Sequence, residues 1–219
     1  MVEKPSQPHR NPATPVAEKA TLRRELLAAR RSLSPEARRA AALALSRTAL
    51  ELPELADAQT VAAYVSVGGE PGTRELLDAL RAAGKRVLLP LLLPDNDLDW
   101  AVYEGPDSLA EAAHPGKIRL LEPAGPPLGP DAVTGADAVL LPGLAVDRRG
   151  MRLGRGGGSY DRVLERLERA GARPALVVLL HDEEVVARVP EEPHDHPVQA
   201  VATPSGVIRF RAVPPTASA

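Results

Sequence analysis

The chain has 219 residues, of which 44% are hydrophobic, so it can bury a substantial core as one domain. Its 27 Lys and Arg residues against 29 Asp and Glu residues give a net charge of −2, which disfavours a general nucleic-acid-binding surface. The absence of cysteine excludes a disulfide scaffold and a cysteine nucleophile. Because the sequence shows neither a signal-peptide h-region nor a run of about 18 apolar residues, we expect a cytoplasmic protein with no membrane partner.

The first part of the chain predicts helices followed by the start of an α/β pattern. Residues 1–16 are polar and proline-rich, which predicts a disordered leader, and apolar residues at helical spacing predict a helix from Ala17. Ser34 is a good N-cap with a proline after it, so a second helix is expected there. Strands are predicted at residues 60–67, 85–94 and 98–103, and the first two are separated by a helix between Thr73 and Gly84.

The second part continues the alternation of strands and helices. A loop rich in proline and glycine precedes a strand within ADAVLLPGLAV, and a helix with one apolar face runs from Tyr160 to Gly171. Residues 174–180 contain no polar side chain, as a buried parallel strand requires, and a hairpin is predicted with its turn at 204–206. These patterns predict a single three-layer α/β/α domain over residues 17–211, with a mostly parallel Rossmann-like sheet and a C-terminal hairpin. Residues 212–219 are expected to form a flexible tail.

The glycine-rich stretch GMRLGRGGGSYDR, at residues 150–162, lies between a predicted strand and a predicted helix. Ligands of open α/β sheets bind outside the carboxyl ends of the strands, and glycines leave backbone N–H groups open to an anion. Arg152 and Arg155 would add positive charge, so the stretch is interpreted as a phosphate cradle. It lacks the lysine of a Walker A loop, and Ser159 replaces the last glycine of a dinucleotide fingerprint. A flexible loop with solvated arginines is the alternative.

Asp161 follows the glycines in the first turn of the predicted helix. A carboxylate is favoured there by the helix dipole alone, but beside a phosphate it is also a ligand that Mg²⁺ prefers. The residue pattern leaves both interpretations open. His194 and His196 flank an aspartate without a third ligand at suitable spacing, so both histidines are interpreted as loop residues rather than zinc ligands.

A longer stretch, LLPGLAVDRRGMRLGRGGGSYDRVL, resembles the signature of the 5-formyltetrahydrofolate cyclo-ligase family. KATLRRELLAARRSLS is similar to that family's opening helix, and YVSVGGEPGT is similar to its substrate-binding strand and loop. KIRLLEP and PHDHPVQAVAT are similar to two later elements, so that matches extend in order from about residue 19 to residue 203. The glycine block is the specific part of this resemblance.

The resemblance implies closure of 5-formyltetrahydrofolate to 5,10-methenyltetrahydrofolate by a monomeric enzyme, with ATP as co-substrate, Mg²⁺ as cofactor, and ADP and phosphate as products. It implies that Arg155 and Tyr160 are catalytic and that Asp161 and Asp195 bind the metal. The ATP-binding residues that it implies are Lys19, Ala20, Thr21, Leu22, Arg23, Arg152, Leu153, Gly154, Arg155, Gly156, Gly157, Gly158, Ser159 and Tyr160. The substrate-binding residues that it implies are Val65, Glu70, Arg155, Gly156, Gly157, Gly158 and Ser159.

Several of these residues have a simpler structural interpretation. Lys19 and Arg23, four residues apart, would form a solvated helix edge, Glu70 would be a loop charge, and Val65 and Tyr160 would be core residues. Ser159 also replaces the first of two tyrosines that many members carry, and Gln199 stands where an aspartate is frequent. Two rival functions remain: a sugar-phosphate isomerase or acyl-transferase on a similar sheet, and a nucleotide- or folate-binding module without turnover.

Overall fold

The computed structural model of the chain describes residues 14–112, 120–192 and 195–210. The predicted tail at 212–219, His194 and most of the predicted leader lie outside these described residues. The α-helices in the described part are α1 (Pro15–Ser32), α2 (Pro35–Leu50), α3 (Pro53–Ala56), α4 (Arg74–Ala82) and α5 (Ser159–Arg169). None of these helices combines the length and the apolar character needed to cross a membrane.

Hydroxyl caps followed by proline set the starts of the first two helices. Helix α1 begins at Pro15 rather than at the predicted Ala17, because Thr14 Oγ1 accepts a hydrogen bond from the N–H of Ala17 (3.4 Å). Ser34 caps α2 in the same way, with its Oγ accepting a hydrogen bond of 3.1 Å, as the sequence predicted. The predicted leader is therefore helical over its last two residues.

The strands of the described part form one large sheet and two small ones. In chain order they are β1 (Thr60–Ala62), β2 (Arg86–Leu92), β3 (Leu98–Val102), β4 (Leu109–Glu111), β5 (Leu121–Pro123), β6 (Ala138–Pro142), β7 (Ala145–Asp147), β8 (Arg152–Leu153), β9 (Ala175–Leu179), β10 (Val185–Val186), β11 (Ala200–Thr203) and β12 (Gly206–Arg209). The large sheet has the order β12-β11-β9-β6-β1-β2-β3. Neighbours from β11 to β2 are parallel, whereas β12 and β3 pair antiparallel at the two edges.

Helices cover both faces of this sheet. Leu45 of α2 and Leu77 of α4 pack on one face in a core that includes Leu140, while Val163 and Leu167 of α5 pack on the other face. The prediction of a three-layer α/β/α domain with a mostly parallel sheet and a C-terminal hairpin is therefore confirmed.

Strand β1 ends earlier than the sequence predicted. It stops at Ala62 instead of continuing to residue 67, because the side chain of Thr73 satisfies the backbone beyond it. Thr73 Oγ1 donates to the carbonyl of Tyr64 (2.8 Å) and accepts from the N–H of Ser66 (2.9 Å). The chain therefore leaves the sheet at this point, and Thr73 makes no side-chain cap for the helix that it precedes.

The segment ADAVLLPGLAV, within which one strand was predicted, contains two strands that belong to different sheets. Strand β6 belongs to the large sheet, and β7 belongs to a small sheet of order β10-β7-β8. Gly143 lies between them, where a Cβ atom would be only 2.8 Å from Val178 Cγ1. Leu22 and Leu26 of α1 pack against this small sheet, so α1 lies beside the glycine-rich stretch rather than on a face of the large sheet.

Candidate functional site

The main pocket lies at the carboxyl ends of β1, β2 and β6 and has a volume of about 260 Å³. One wall is formed by residues 154–158 and the start of α5, and the facing wall by residues between Tyr64 and Glu70. The remaining wall is mainly apolar, and its residues are Pro90, Leu92, Leu98, Leu120, Leu121 and Glu122. The arrangement combines an open backbone with a ring-sized apolar space, as small-molecule sites do.

The glycine loop consists of residues 154–158 and connects β8 to α5. Gly156 (φ +92°) and Gly158 (φ +79°) have left-handed backbones, which other L-residues adopt only with strain. Gly157 has no positive φ, and a Cβ atom there would meet no atom within 4 Å. Gly158 is the N-cap of α5 and has no side chain to bond the first N–H groups, which suits an anion.

Arg23 connects α1 to the glycine loop. Its Nε donates to the carbonyl of Gly154 (2.9 Å), and its guanidinium lies under Gly156, 3.4 Å from the place of a Cβ atom. The interpretation of Arg23 as part of a solvated helix edge is therefore wrong. Ala20 and Thr21, which follow Lys19 on the same helix, are exposed, and Leu22 packs against the small sheet.

Lys19 is buried in an ion cluster at the start of α1, so the solvated-edge interpretation is wrong for this residue too. Its Nζ lies 2.6 Å from Asp195 Oδ2 and 2.8 Å from Glu192 Oε2. Burial alone would lower the pKa of Lys19, but the hydrogen bonds and charges of the two carboxylates outweigh it and raise the pKa. Lys19 is therefore a fixed cation that holds the loop at residue 195 against α1.

Arg152 lies beneath the glycine loop as part of β8 rather than in the loop itself. Its Nη2 donates to Asp161 Oδ1 (2.6 Å), and its Nη1 donates to the carbonyl of Pro142 (3.2 Å). Burial lowers the pKa of Arg152, although Asp161 acts in the opposite direction. The neighbouring Leu153 is buried against the small sheet. Arg152 and Leu153 therefore support the loop from below.

The two predicted metal ligands both act on the same guanidinium. Asp161 pairs directly with Arg152, and the charge of Asp195 also contributes to the pKa of Arg152. In the described part of the chain no cluster of three or more His, Asp or Glu side chains could hold a metal ion. Two carboxylates beside the glycine loop are nevertheless of the ligand type that Mg²⁺ prefers, since this ion is usually held by one or two carboxylates with other oxygen ligands. The metal site remains a prediction.

Glu70 faces the glycine loop across the pocket. Its Oε1 accepts a hydrogen bond from Arg155 Nη1 (3.2 Å), and its Oε2 accepts one from the N–H of Val67 (2.8 Å). The Glu70 side chain is only 7% exposed, and burial raises its pKa despite these two contacts. Glu70 is therefore a buried pocket residue rather than a solvated loop charge. Val65 lines the pocket and also belongs to the core, and its substrate-binding role stays a prediction.

Two tyrosine hydroxyls lie at the base of the pocket. The Oη atoms of Tyr64 and Tyr160 are buried and have no hydrogen-bond partner among the described residues. Burial raises the pKa of both hydroxyls, and the nearby charge of Glu70 raises it further. The rings of both tyrosines also pack in the core, so Tyr160 serves the core and the pocket together.

Sequence reasoning missed Tyr64, because it placed this residue in the middle of a strand. It also missed the apolar wall, including Leu92 and Leu121, which come from the edge strand pair and from the short strand β5. Thr73 could have indicated that the strand ends before Tyr64. A hydroxyl side chain shortly after a strand can form hydrogen bonds with the backbone and so direct the chain away from the sheet. The apolar wall has no comparable local signal.

Comparison with known proteins finds relatives that match most of the chain. A model of the 5-formyltetrahydrofolate cyclo-ligase family matches residues 15–204. The 5-formyltetrahydrofolate cyclo-ligase of Mycolicibacterium smegmatis is 40% identical over 199 residues, which are 88% of this chain and 97% of the relative. The Escherichia coli protein of the same name is 33% identical over 180 residues, which are 81% of this chain and 96% of the relative.

Solved structures agree with these relatives. The NMR structure of Aquifex aeolicus 5,10-methenyltetrahydrofolate synthetase is 28% identical, with a TM-score of 0.73, and the match covers 89% of this chain and 94% of that one. The structure of a 5,10-methenyltetrahydrofolate synthetase from Mycoplasma pneumoniae has a TM-score of 0.64 at 18% identity over 85% of this chain and 99% of that one, which supports the fold alone. The resemblance inferred from the sequence is confirmed.

Proposed function

This chain belongs to the 5-formyltetrahydrofolate cyclo-ligase family, and from this premise we propose that it closes 5-formyltetrahydrofolate to 5,10-methenyltetrahydrofolate with ATP and Mg²⁺, releasing ADP and phosphate. The observation that supports the full reaction best is that the glycine loop and Glu70 line one pocket. This arrangement supports the proposal, because a glycine loop that can bind phosphate and a carboxylate that can accept hydrogen bonds from ring N–H groups line the same space. We propose that the protein acts as a monomer in the cytoplasm.

The chemistry requires two successive bond changes at the formyl group. The formyl oxygen attacks the γ-phosphorus of ATP, the bond from that phosphorus to the bridging oxygen breaks, and ADP leaves. N10 of the folate then attacks the formyl carbon, loses its proton, and the C–O bond breaks to release phosphate. Both steps depend on positioning and on neutralising charge, without a covalent bond to the protein. A chain without cysteine suits this reaction, because no thiol nucleophile is required.

The described residues have four roles under this proposal. The N–H groups of the glycine loop and the charge of Arg155 bind the phosphates, while Glu70 accepts hydrogen bonds from the folate ring system. Tyr64 and Tyr160 supply hydroxyls that need partners and rings that form the base of the pocket. Lys19, Arg23 and Arg152 fix the elements that carry the loop.

Asp161 and Asp195 would hold Mg²⁺ together with phosphate oxygens. The ion would neutralise charge on the phosphate chain, and the two carboxylates would exchange part of their contact with Arg152 and Lys19 for it. Replacing Asp161 or Asp195 also removes a partner of Arg152 or Lys19, and this loss can be measured as a change in the free energy of unfolding. The structural role of each carboxylate can therefore be separated from its role in binding Mg²⁺.

The proposal is tested by following the formation of 5,10-methenyltetrahydrofolate by absorbance, with and without ATP and Mg²⁺. We expect product only when both are present. Arg155→Gln should lower kcat about 10²- to 10³-fold, as the loss of one donor to a reacting oxyanion does. Thermal unfolding should change little, because Arg155 is half-exposed, its contact with Glu70 is long, and Glu70 keeps the hydrogen bond from the N–H of Val67. Arg169→Gln, at the exposed end of α5, is the matched control. Binding of ATP and folate without turnover would instead support a binding module.

A further inference from the structure

A second pocket, of about 300 Å³, lies next to the main one and has an unusual concentration of positive charge. Four of its eight lining residues are arginines. These residues, which we call the arginine pocket, are Arg30, Arg31, Arg38 and Arg155. Glu70 and Arg155 line both pockets, so the two spaces meet at the contact between these side chains. A ligand in the main pocket can therefore reach the arginine pocket through Arg155, which is 39% exposed.

Two of the arginines have buried donors that lack acceptors. Arg30 is only 2% exposed, and its Nε and Nη2 bind Glu184 (2.6 and 2.8 Å), yet its Nη1 has no partner among the described residues. The Nη2 of Arg38 donates to the carbonyl of Arg30 (3.0 Å), while its Nε is buried without a partner in the same part of the chain. Buried guanidinium donors are normally satisfied, so these two nitrogens leave part of the hydrogen-bonding capacity of Arg30 and Arg38 unused by the described residues.

The positive charge of the pocket is only partly neutralised. Glu184 pairs with Arg30, and Glu70 pairs with Arg155, but within the described residues no carboxylate forms an ion pair with Arg31 or Arg38. Like charges held together without counterions repel one another, so an anion that enters is stabilised by all of them. Planar guanidinium groups suit the oxygens of carboxylates and phosphates in particular.

We propose that the arginine pocket is a binding site for an oxyanion group, either a carboxylate or a phosphate. Under the proposed function, on which this inference rests, the carboxylates of the glutamate tail of the folate are one source and free phosphate is the other. In both cases the oxyanion lies beyond the Glu70–Arg155 contact, while the rings of the substrate occupy the main pocket.

The first test measures binding without turnover, by calorimetric titration of the full chain with inorganic phosphate and, separately, with γ-glutamyl-glutamate. Arg31→Gln is the main variant, because this side chain is exposed and its loss leaves the fold intact. Arg38→Gln is the second variant, and Arg39→Gln, an exposed neighbour on α2, is the matched control. We expect at least one probe to bind about tenfold more weakly to Arg31→Gln and to Arg38→Gln than to the wild type, whereas Arg39→Gln should bind it as the wild type does. Added salt should weaken the binding of that probe to the wild type, because it screens the charges of the arginines.

The two probes distinguish the source of the oxyanion. A loss confined to γ-glutamyl-glutamate identifies the substrate tail, and a loss confined to phosphate identifies the product. Phosphate held only by the glycine loop would be insensitive to Arg31. The inference is overturned if neither probe binds the wild type, or if the arginine-pocket variants bind both probes as Arg39→Gln does.

Kinetics supply the second readout. If the tail is the ligand, Arg31→Gln should raise KM for a substrate with several glutamates more than KM for the monoglutamate, and should leave kcat unchanged. An equal change for both substrates would contradict the tail as source. The binding titrations remain decisive even if the chain shows no cyclo-ligase turnover, so failure of the proposed function and failure of this inference are separable.

Discussion

Gly156 and Gly157 are adjacent in the glycine loop and are both proposed to contact the phosphates of ATP, but only Gly156 has a left-handed backbone. Alanine substitutions at the two positions therefore separate backbone strain from phosphate binding. At Gly156 (φ +92°) an alanine would occupy a left-handed backbone, so Gly156→Ala should lower the free energy of unfolding by about 1–2 kcal/mol. Its Cβ would also lie 3.4 Å from the guanidinium carbon of Arg23, which can move slightly. At Gly157 no positive φ applies and no atom lies within 4 Å, so Gly157→Ala should leave the free energy of unfolding unchanged.

The affinity for ATP should respond differently from stability to these two substitutions, because Gly157→Ala should weaken ATP binding without lowering the free energy of unfolding. If phosphate oxygens approach the backbone at Gly157, its added methyl group removes a hydrogen bond to a charged acceptor, worth about 1.5–3 kcal/mol. The affinity for ATP should then fall about 10- to 150-fold, since each 1.4 kcal/mol is about tenfold. The measurements are calorimetric titration with ATP and Mg²⁺ and unfolding in urea. A stable Gly157→Ala protein that binds ATP like the wild type would refute the phosphate cradle.

Three further predictions concern buried charges. Arg30→Met should lower the free energy of unfolding in urea by about 3–5 kcal/mol, because it leaves a buried carboxylate unpaired, whereas the exposed control Arg24→Met should change it little; equal losses would contradict this. Burial raises the pKa of Glu70 above 4.5, so the wild type should lose stability as pH rises from 4.5 through the folded pKa, and Glu70→Gln should lack this loss. A pH-independent difference between the two unfolding curves would count against that assignment. Asp161→Asn and Asp195→Asn should each raise the Mg²⁺ concentration needed for half-maximal activity, with a double mutant little worse than the poorer single one, and losses that multiply would exclude a shared ion.

Local patterns predicted the sheet well where each strand is long and uniformly apolar. Strand β9 was recognised because a run without polar residues is typical of a parallel strand buried on both faces. The C-terminal hairpin was recognised from the turn residues between β11 and β12. Strand β1 was predicted too long because its end depends on hydrogen bonds from Thr73, whose effect is not visible in the pattern of hydrophobic residues.

The small sheet of β10, β7 and β8 was not predicted from the sequence, and this omission changed the interpretation of Arg152. Strands β8 and β10 are each two residues long, which is too short to show a periodicity. The sequence therefore placed Arg152 in a free loop, whereas its position in β8 makes it a support for Asp161. The glycine loop itself was predicted, because its composition and its place between strand and helix are local properties.

The arginine pocket could not be predicted from local sequence patterns. Its four arginines come from the end of α1, from α2 and from the glycine loop, so their proximity is a result of tertiary packing. On the sequence Arg30, Arg31 and Arg38 are ordinary residues of amphipathic helices, where such side chains are usually solvated. What distinguishes them is visible only in the structure: Arg30 is buried in an ion pair with Glu184, and Arg38 has a buried Nε without a partner among the described residues.

The ion pairs of α1 also bear on when the site can form during synthesis. Arg30 finds its partner 154 residues later in the chain, and Lys19 finds Asp195 after 176 residues. At a translation rate of about 5–20 residues per second, roughly 8–35 s separate these cations from their partners. During that interval the nascent chain carries both walls of the pocket, and Arg23 can already contact the glycine loop, but the two ion pairs that fix α1 near its two ends are missing. Under the proposed function, we therefore expect full affinity for the nucleotide only after the segment around residue 195 has left the ribosome.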